Sequence, residues 1–294
     1  MLDKLKEFGT VSLDKSFKQL TTLRVGGRVK IYFEPIDIRN FVLAIRLIKE
    51  ANMPYKIIGF GSNLLCSDKD YEGVVIRLTN LNHFEINGNE LYSEAGAPIA
   101  TIANFAINNG LSGLQFATGI PAMVGGATFM NAGAYNEKIS DVVQSVLVYK
   151  NDSLVWIDKE DLNFAYRTSL FQEKNDWIII AVNFILKEDE VSRLKQISID
   201  RNKRRWDSQP INYPNCGSVF RNIDNYQVWK LVDDLNLRGK QIGGAQVSEK
   251  HSNFIVNINN SKAKDVNDLI EIIQNKSKIE KNIELKLEVE RFNW

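Results

Sequence analysis

The chain has 294 residues, a formal net charge of +1, 44% hydrophobic residues and 25% charged residues. This balance is typical of a soluble globular protein of two or three domains. The near-neutral charge argues against a nucleic-acid-binding surface.

The two cysteines, Cys66 and Cys216, are far apart and neither belongs to a CxxC pair. This spacing argues against a disulfide framework and against a zinc site, and it favours a reducing compartment. The N-terminus, MLDKLKEFG, lacks the apolar core of a signal peptide, and no stretch approaches 18 consecutive apolar residues. We therefore expect a cytoplasmic protein without a membrane span.

The first block, residues 1–72, predicts a strand–helix–strand unit. Asp37 precedes apolar positions at helical spacing, and Asn52 and Pro54 end that helix. A strand at 55–58 leads into GFGSNLL, residues 59–65. The two glycines allow a sharp turn and a close backbone approach, which suits a phosphate.

The GFGSNLL loop fits neither of the common phosphate-binding motifs. It opens no long helix, as a Rossmann GxGxxG does, and it lacks the GK[ST] of a P-loop. A glycine-containing hairpin without a ligand remains the alternative interpretation of this loop.

The second block, residues 73–187, predicts mainly short strands, with one helix between Pro98 and Asn109. The predicted strands are 73–78, 83–87, 90–95, 142–150, 153–157 and 177–187. The segment GIPAMVGGATFMNAGAY, residues 119–135, is rich in glycine and alanine and indicates packing against something flat. Together with GFGSNLL it indicates a dinucleotide held largely by backbone groups, the alternative being two tight packing turns.

The third block, residues 188–294, predicts an α+β arrangement. Helices are expected at 188–205, at 227–236 and from about Asp265, with a buried strand at 254–256. Strict alternation over 283–290 predicts a final strand with Ile283, Leu285, Leu287 and Val289 on one face.

Candidate chemical groups in these blocks stay ambiguous on residue type alone. Ser218 lies in NCGSVFRN, outside a GxSxG elbow, and is better explained there as a turn residue than as a catalyst. Arg167 in FAYRTSLF is either paired internally or placed to meet an anion. The carboxylates of the last predicted strand are, by default, solvated surface groups.

Eight segments in order resemble the UDP-N-acetylenolpyruvoylglucosamine reductase (MurB) family, the FAD enzymes of bacterial peptidoglycan synthesis. The resemblance extends from about residue 18 to residue 292. The segments are LTTLRVGG, IIGFGSNLL, GVVIRL, GIPAMVGGATFMNAGAY, FAYRTSLF, NCGSVFRN, GGAQVSEKHSNFIVN and LKLEVERF. The compact third block is similar to the shorter, type II subtype of the family.

The resemblance implies an α+β protein with a two-subdomain FAD-binding fold of the vanillyl-alcohol-oxidase (PCMH) type and a C-terminal α+β substrate domain. The expected domains are 1–72, 73–187 and 188–294. The residues implied to bind FAD are Gly59, Gly61, Ser62, Asn63, Leu64, Gly119, Ile120, Pro121, Gly125, Gly126, Ala127, Asn131, Gly133 and Ala134.

The same resemblance assigns catalytic roles to Arg167, Ser218 and Glu288, and substrate contacts to Tyr166, Asn222 and His251. NADPH would reduce FAD, and the reduced flavin would pass a hydride to C3 of an enolpyruvyl group. Arg167 would stabilise the resulting negative charge and Ser218 would protonate C2. Glu288 would either polarise the enolate as a neutral acid or orient a donor.

Three positions depart from the family pattern. Ala122 replaces a glycine, Ile223 replaces a proline, and Ser208 replaces a lysine that anchors substrate charge, for which Arg204 or Arg205 is the candidate substitute. Ala122 either shifts the FAD loop or occupies a position that needs no positive φ.

The implied partner is a small-molecule UDP-sugar, with no nucleic acid, membrane or metal, and we expect a monomer. The implied reaction converts UDP-N-acetylglucosamine enolpyruvate to UDP-N-acetylmuramate, which serves cell-wall biogenesis, cell shape and cell division. The alternatives are a flavin oxidase of the same fold and a non-catalytic flavin-binding protein.

Overall fold

The computed structural model describes residues 1–13, 15–174, 176–223 and 226–294. Within them the chain forms two compact units. Unit 1 comprises residues 1–13, 31–60 and 73–204, and unit 2 comprises residues 14–30, 61–72 and 205–294. No described helix combines the length and the apolar composition that crossing a membrane requires.

Helices and strands are interspersed along the chain. The helices are α1 (Leu2–Phe8), α2 (Phe17–Leu20), α3 (Ile38–Glu50), α4 (Ile99–Asn108), α5 (Val124–Phe129), α6 (Val191–Ser208), α7 (Val228–Asp234) and α8 (Ala263–Lys281). The strands up to the second glycine segment are β1 (Gly9–Ser12), β2 (Val29–Pro35), β3 (Tyr55–Ile58), β4 (Leu64–Cys66), β5 (Tyr71–Arg77), β6 (Phe84–Asn87), β7 (Glu90–Glu94) and β8 (Leu111–Ser112). The later strands are β9 (Gly133–Ala134), β10 (Glu137–Lys138), β11 (Val143–Lys150), β12 (Ser153–Asp158), β13 (Ile178–Ile185), β14 (Lys187–Glu188), β15 (Gln241–Ile242), β16 (Ala245–Val247), β17 (Ile255–Asn257) and β18 (Glu290–Phe292).

Unit 1 is built on two sheets and a single apolar core. The first sheet has the order β1-β2-β5-β3, with β3 parallel to β5, and the second has the antiparallel order β12-β11-β13-β7-β6. Helix α3 begins as predicted, because the Asp37 carboxylate accepts a hydrogen bond of 2.7 Å from the Asn40 N–H. Its face of Phe41, Ala44, Ile45 and Ile48 is buried.

Unit 2 has its own apolar core beneath the antiparallel sheet β15-β16-β17. Helices α7 and α8 contribute Leu231, Val232, Leu269 and Ile270 to this core. The first turn of α8 contains Asp265, as predicted, and its carboxylate accepts a hydrogen bond from the Lys262 N–H. An acidic group near a helix N-terminus binds N–H groups that have no partner within the helix. The local sequence therefore specifies where this helix begins.

The predicted strand over 283–290 is wrong. Leu287 forms an isolated bridge to Phe220, and the strand proper is β18, which begins at the last residue of this stretch and runs parallel to β4. The Lys286 carbonyl and the Glu288 N–H instead bond to Arg221 and Val219. Leu285 and Val289 are buried, as the alternation predicted. An alternating pattern indicates which face of a segment is buried, but it does not show that the segment pairs with another strand.

Each of the two compact units is assembled from separate stretches of the chain. Residues 61–72 belong to unit 2, and residues 188–204 belong to unit 1. Compactness does not identify which residues bind FAD or substrate. The division into two FAD-binding subdomains and a substrate domain stays a prediction.

Candidate functional site

The GFGSNLL loop joins β3 to β4 without a helix, as the sequence predicted. Gly61 has φ +66°, and a Cβ added there would lie 2.6 Å from the Leu20 carbonyl oxygen. No other residue type fits this position without moving the backbone. Ser62 and Asn63, which follow, are half-buried, whereas the Leu64 side chain is buried.

Asn63 ties this loop to the predicted catalytic segment near the C-terminus. Its side-chain amide donates a 3.0 Å hydrogen bond to the Glu288 carbonyl, and its own carbonyl accepts one of 2.9 Å from the Glu290 N–H. Two residues more than 220 positions apart in the chain are thereby fixed side by side in unit 2.

The turn that carries Ser218 lies against the same segment. The Val219 carbonyl accepts a 2.8 Å hydrogen bond from the Glu288 N–H. On the other side, the Asn253 side chain binds both backbone polar groups of Phe220, at 3.0 and 2.9 Å. The structure therefore brings together the backbones that carry Asn63, Ser218 and Glu288.

Ser218 itself is half-buried. In the part of the chain that the structure describes, its hydroxyl makes no hydrogen bond within the protein. The preceding residue, Gly217, is held by a 3.0 Å bond from its N–H to the Asn215 side chain. A fixed backbone with an uncommitted hydroxyl is suited to donating a proton to a bound molecule.

The two predicted substrate-binding residues of unit 2 have different surroundings. The Asn222 side-chain oxygen accepts a 3.0 Å hydrogen bond from the Val228 N–H, the first N–H of α7, and its NH₂ group is the donor left for a ligand. The His251 ring packs edge-on against Phe254, with ring centroids 4.9 Å apart. Burial lowers the pKa of His251, and the nearby Arg238 guanidinium acts in the same direction.

The segment 119–135 contains a helix that the sequence analysis missed, α5. An alanine- and glycine-rich stretch gives no amphipathic pattern, so periodicity did not find it. Met123 and Val124 are buried, whereas Pro121 and Gly126 are exposed. A Cβ added at Gly126 would meet no protein atom within 4 Å. The start of α5 thus has open space beside bare backbone, which fits the approach of a large cofactor such as FAD.

Other residues predicted to bind FAD either lie close to α5 or already make contacts within the protein. A Cβ added at Gly59 would lie 3.5 Å from the Met123 side chain, and the Gly125 N–H donates to the Ala95 carbonyl at 2.9 Å. Ala127 is buried in the core. The remaining predicted residues Gly119, Ile120, Gly133 and Ala134 lie outside the fully buried core. Ala122 has no positive φ, so the departure from glycine at this position causes no backbone strain.

Arg167 lies in unit 1, on a tight turn next to the end of this segment. Its guanidinium donates a 2.8 Å hydrogen bond to the Gly133 carbonyl and lies 5.2 Å from the centre of the Tyr166 ring. Its φ is +55°, a conformation that costs a non-glycine residue about 1–3 kcal/mol. Tyr166 is 52% exposed.

Asn131 does not present its side chain to a ligand. The side chain is buried, its amide donates to the Ala165 carbonyl at 2.8 Å, and its oxygen accepts from the Ser140 N–H at 3.0 Å. Any contact of Asn131 with FAD would have to use its backbone.

Sequence reasoning did not single out two features of the structure. One is a set of two side-chain amides: Gln172 donates to the Arg167 carbonyl, and Asn253 donates to the Phe220 carbonyl, two residues after Ser218. A lone amide side chain gives no sequence pattern that would reveal this. The other is a cavity of about 440 Å³ within unit 2, lined by Trp206, Pro210, Ile211, Asn212, Tyr213, Gln246, Ser248, Glu249, Lys250 and Val256.

Comparison with protein families gives two matches in succession along the chain. The FAD binding domain model matches residues 29–157. The model of the UDP-N-acetylenolpyruvoylglucosamine reductase C-terminal domain matches residues 209–292.

Individual relatives match over nearly the whole chain. UDP-N-acetylenolpyruvoylglucosamine reductase from Clostridium botulinum (strain 657 / Type Ba4) is 41% identical over 280 residues, which are 95% of this chain and 91% of the relative. The enzyme of the same name from Caldanaerobacter subterraneus subsp. tengcongensis is 38% identical, over 98% of this chain and 97% of its own. The crystal structure of UDP-N-acetylenolpyruvylglucosamine reductase from Thermus caldophilus has a TM-score of 0.84 and 31% identity, and the match covers 97% of this chain and 100% of that one.

Proposed function

Because the chain belongs to the UDP-N-acetylenolpyruvoylglucosamine reductase family, we propose that it uses NADPH to reduce UDP-N-acetylglucosamine enolpyruvate to UDP-N-acetylmuramate. The matches confirm the predicted fold class, an FAD-binding domain followed by the family's C-terminal domain, and with it an FAD-dependent oxidoreductase. The observation that carries the proposal is the junction in unit 2 where the Glu288 carbonyl accepts from the Asn63 side-chain amide and the Glu288 N–H donates to the Val219 carbonyl.

FAD would be held by the backbone of the GFGSNLL loop and of residues 119–134. The open space beside Gly126 supports this assignment. When bound, FAD would carry the hydride from NADPH to the enolpyruvyl group. The protein's own contribution is to bind, to orient and to stabilise charge.

Arg167 would neutralise the charge that develops on the substrate. Arrival of a hydride at C3 places negative charge at C2 and on the adjoining carboxylate. A guanidinium beside that carboxylate stabilises the transition state more than the ground state. The bond to Gly133 and the turn around Arg167 give this cation a defined position before the substrate arrives.

Ser218 would then transfer its hydroxyl proton to C2, which completes the lactyl ether. The balance is one hydride and one proton added across the double bond, with NADPH oxidised to NADP⁺. Glu288, held by its N–H to Val219, would polarise the enolate or orient the donor. Tyr166, Asn222 and His251 would contact the substrate.

We also propose that the protein acts in the cytoplasm as a monomer, in peptidoglycan precursor synthesis and thereby in cell-wall biogenesis, cell shape and cell division. Cys66 and Cys216 are both buried as thiols, which fits a reducing compartment.

The proposal is tested with purified protein and its absorbance spectrum. We expect a yellow protein with a flavin spectrum that oxidises NADPH only when UDP-N-acetylglucosamine enolpyruvate is present. A colourless protein that cannot take up FAD would contradict the proposal. Oxygen consumption with simple alcohols in the absence of NADPH would instead support a flavin oxidase of the same fold.

A further inference from the structure

The turn that carries Arg167 is closed by its own backbone. Residues 165–168 form two hydrogen bonds, from the Ala165 N–H to the Thr168 carbonyl at 3.0 Å and from the Thr168 N–H to the Ala165 carbonyl at 3.1 Å. Arg167 occupies the third position of this turn with φ +55°, where tight turns with a positive φ usually have glycine. An arginine in this conformation needs support from its surroundings.

The Gln172 side chain supplies this support directly. Its amide nitrogen donates one hydrogen bond to the Arg167 carbonyl and a second to the Phe129 carbonyl, both at 3.0 Å. An amide group has two N–H donors, so both are used. Gln172 therefore links the backbone of Arg167 to the C-terminal end of α5.

The Arg167 guanidinium is attached to the same part of the chain. It donates to the Gly133 carbonyl, four residues after Phe129. The backbone end of Arg167 reaches this segment through Gln172, and the charged end reaches it directly. Both ends of Arg167 are therefore tied to residues 129–133. The backbone of Arg167 is held in place, and its guanidinium is held in one direction.

We propose that Gln172 is a positioning residue, which sets the direction of the Arg167 guanidinium for reduction of the substrate. The inference rests on the proposed role of Arg167 in charge stabilisation. Gln172 acts on the reaction only through the backbone of Arg167.

Two contacts that hold the chain around Gln172 do not involve its amide. The neighbouring Phe171 is buried in the core, and the Ser169 hydroxyl binds the Phe129 carbonyl independently at 2.6 Å. Replacement of Gln172 by methionine, which has similar length and no donor, should leave these contacts in place.

The test compares the two half-reactions of Gln172→Met anaerobically. We expect flavin reduction by NADPH at the wild-type rate, and flavin reoxidation by UDP-N-acetylglucosamine enolpyruvate slowed about 10- to 100-fold, since small misplacements of a catalytic group have effects of this size. Asn104→Ala is the matched control, because the Asn104 amide also donates to a backbone carbonyl in unit 1, that of Ala100. It should change neither half-reaction.

A double-mutant cycle distinguishes positioning from general destabilisation. In an Arg167→Ala background, Gln172→Met should slow reoxidation less than about twofold further, because the group it positions is gone. A crystal structure of Gln172→Met should show the contact between Arg167 and Gly133 lost or lengthened. If the variant does not fold, Gln172→Glu, which removes the donors in nearly the same shape, replaces it.

The outcomes separate the inference from the proposal on which it rests. Equal losses in both half-reactions, or full additivity with Arg167→Ala, would overturn the positioning role. Slow flavin reoxidation in Arg167→Ala, together with a wild-type rate of reoxidation in Gln172→Met, would overturn the positioning role of Gln172 and leave the role of Arg167 intact. Wild-type reoxidation by Arg167→Ala would refute the role of Arg167 and the inference with it.

Discussion

At the scale of single residues, Ser218 combines a fixed backbone with a hydroxyl available to a ligand. The Val219 and Gly217 backbones are held by Glu288 and Asn215. The sequence placed Ser218 in a turn, and the family resemblance suggested its proposed role as proton donor. The structure adds the proximity of the Glu288 backbone, which no local pattern contains.

Replacing Ser218 by alanine should separate the two half-reactions. Flavin reduction by NADPH should proceed at the wild-type rate, whereas reoxidation by the enolpyruvyl substrate should slow by about 100-fold or more, as expected for loss of a general acid. Stopped-flow absorbance measures both. Ser145→Ala, which removes a hydroxyl from β11, is the control, and equal losses in both half-reactions of Ser218→Ala would argue against a proton donor.

The His251 ring makes stability depend on pH. Its Nδ1 is buried and, among the residues described, has no hydrogen-bond partner, and burial lowers the pKa of the ring. As pH falls through the ordinary histidine pKa of about 6.5, the unfolded chain takes up a proton before the folded one does. The contribution of His251 to the free energy of unfolding should therefore be at its maximum above this pH, and the free energy of unfolding should decrease below it.

Urea unfolding of the wild type and of His251→Gln across this pH range checks the expectation. The variant should lose less stability than the wild type as pH falls, because it lacks the titrating ring. Parallel pH dependences of the two proteins would show that His251 does not carry this effect.

At the scale of elements, the amphipathic helices could be predicted from the sequence, whereas helix α5 could not. Helix α3 follows its apolar spacing and its Asp37 cap, and α8 follows the same logic with Asp265. Helix α5 is short and rich in small residues, so neither periodicity nor capping marks it. The failed strand at 283–290 has the opposite cause, since its alternation was clear but its backbone partners were distant in sequence.

The open face of α5 gives a prediction for Gly126→Leu. The new side chain meets no protein atom at its Cβ, and leucine is about 1 kcal/mol better than glycine within a helix, so the FAD-free protein should be at least as stable as the wild type. If FAD occupies this space, its affinity should fall, because the leucine side chain would exclude the cofactor.

Fluorescence titration with FAD and thermal unfolding of the FAD-free protein measure the two effects. Gly126→Ala, which adds only one methyl group, is the graded control and should bind FAD more tightly than Gly126→Leu does. Unchanged affinity in Gly126→Leu would exclude the start of α5 from the FAD site.

At the scale of the whole molecule, chain order and spatial grouping differ. Residues 61–72 interrupt unit 1 in sequence yet belong to unit 2, where Asn63 binds the Glu288 carbonyl. Composition and periodicity describe contiguous blocks, so they predicted many element types but could not place a loop from the first block beside the end of the chain. The eight ordered motifs supplied the family instead, because their joint order is far more specific than any one of them.

The most direct measurement of the proposed activity is anaerobic reoxidation of the NADPH-reduced protein by UDP-N-acetylglucosamine enolpyruvate. We expect the substrate to restore the oxidised flavin spectrum with stoichiometric formation of UDP-N-acetylmuramate, and we expect Arg167→Ala, Ser218→Ala and Glu288→Gln to slow this step. A flavin that stays reduced with this substrate, or that is reoxidised only by oxygen, would contradict the proposed activity.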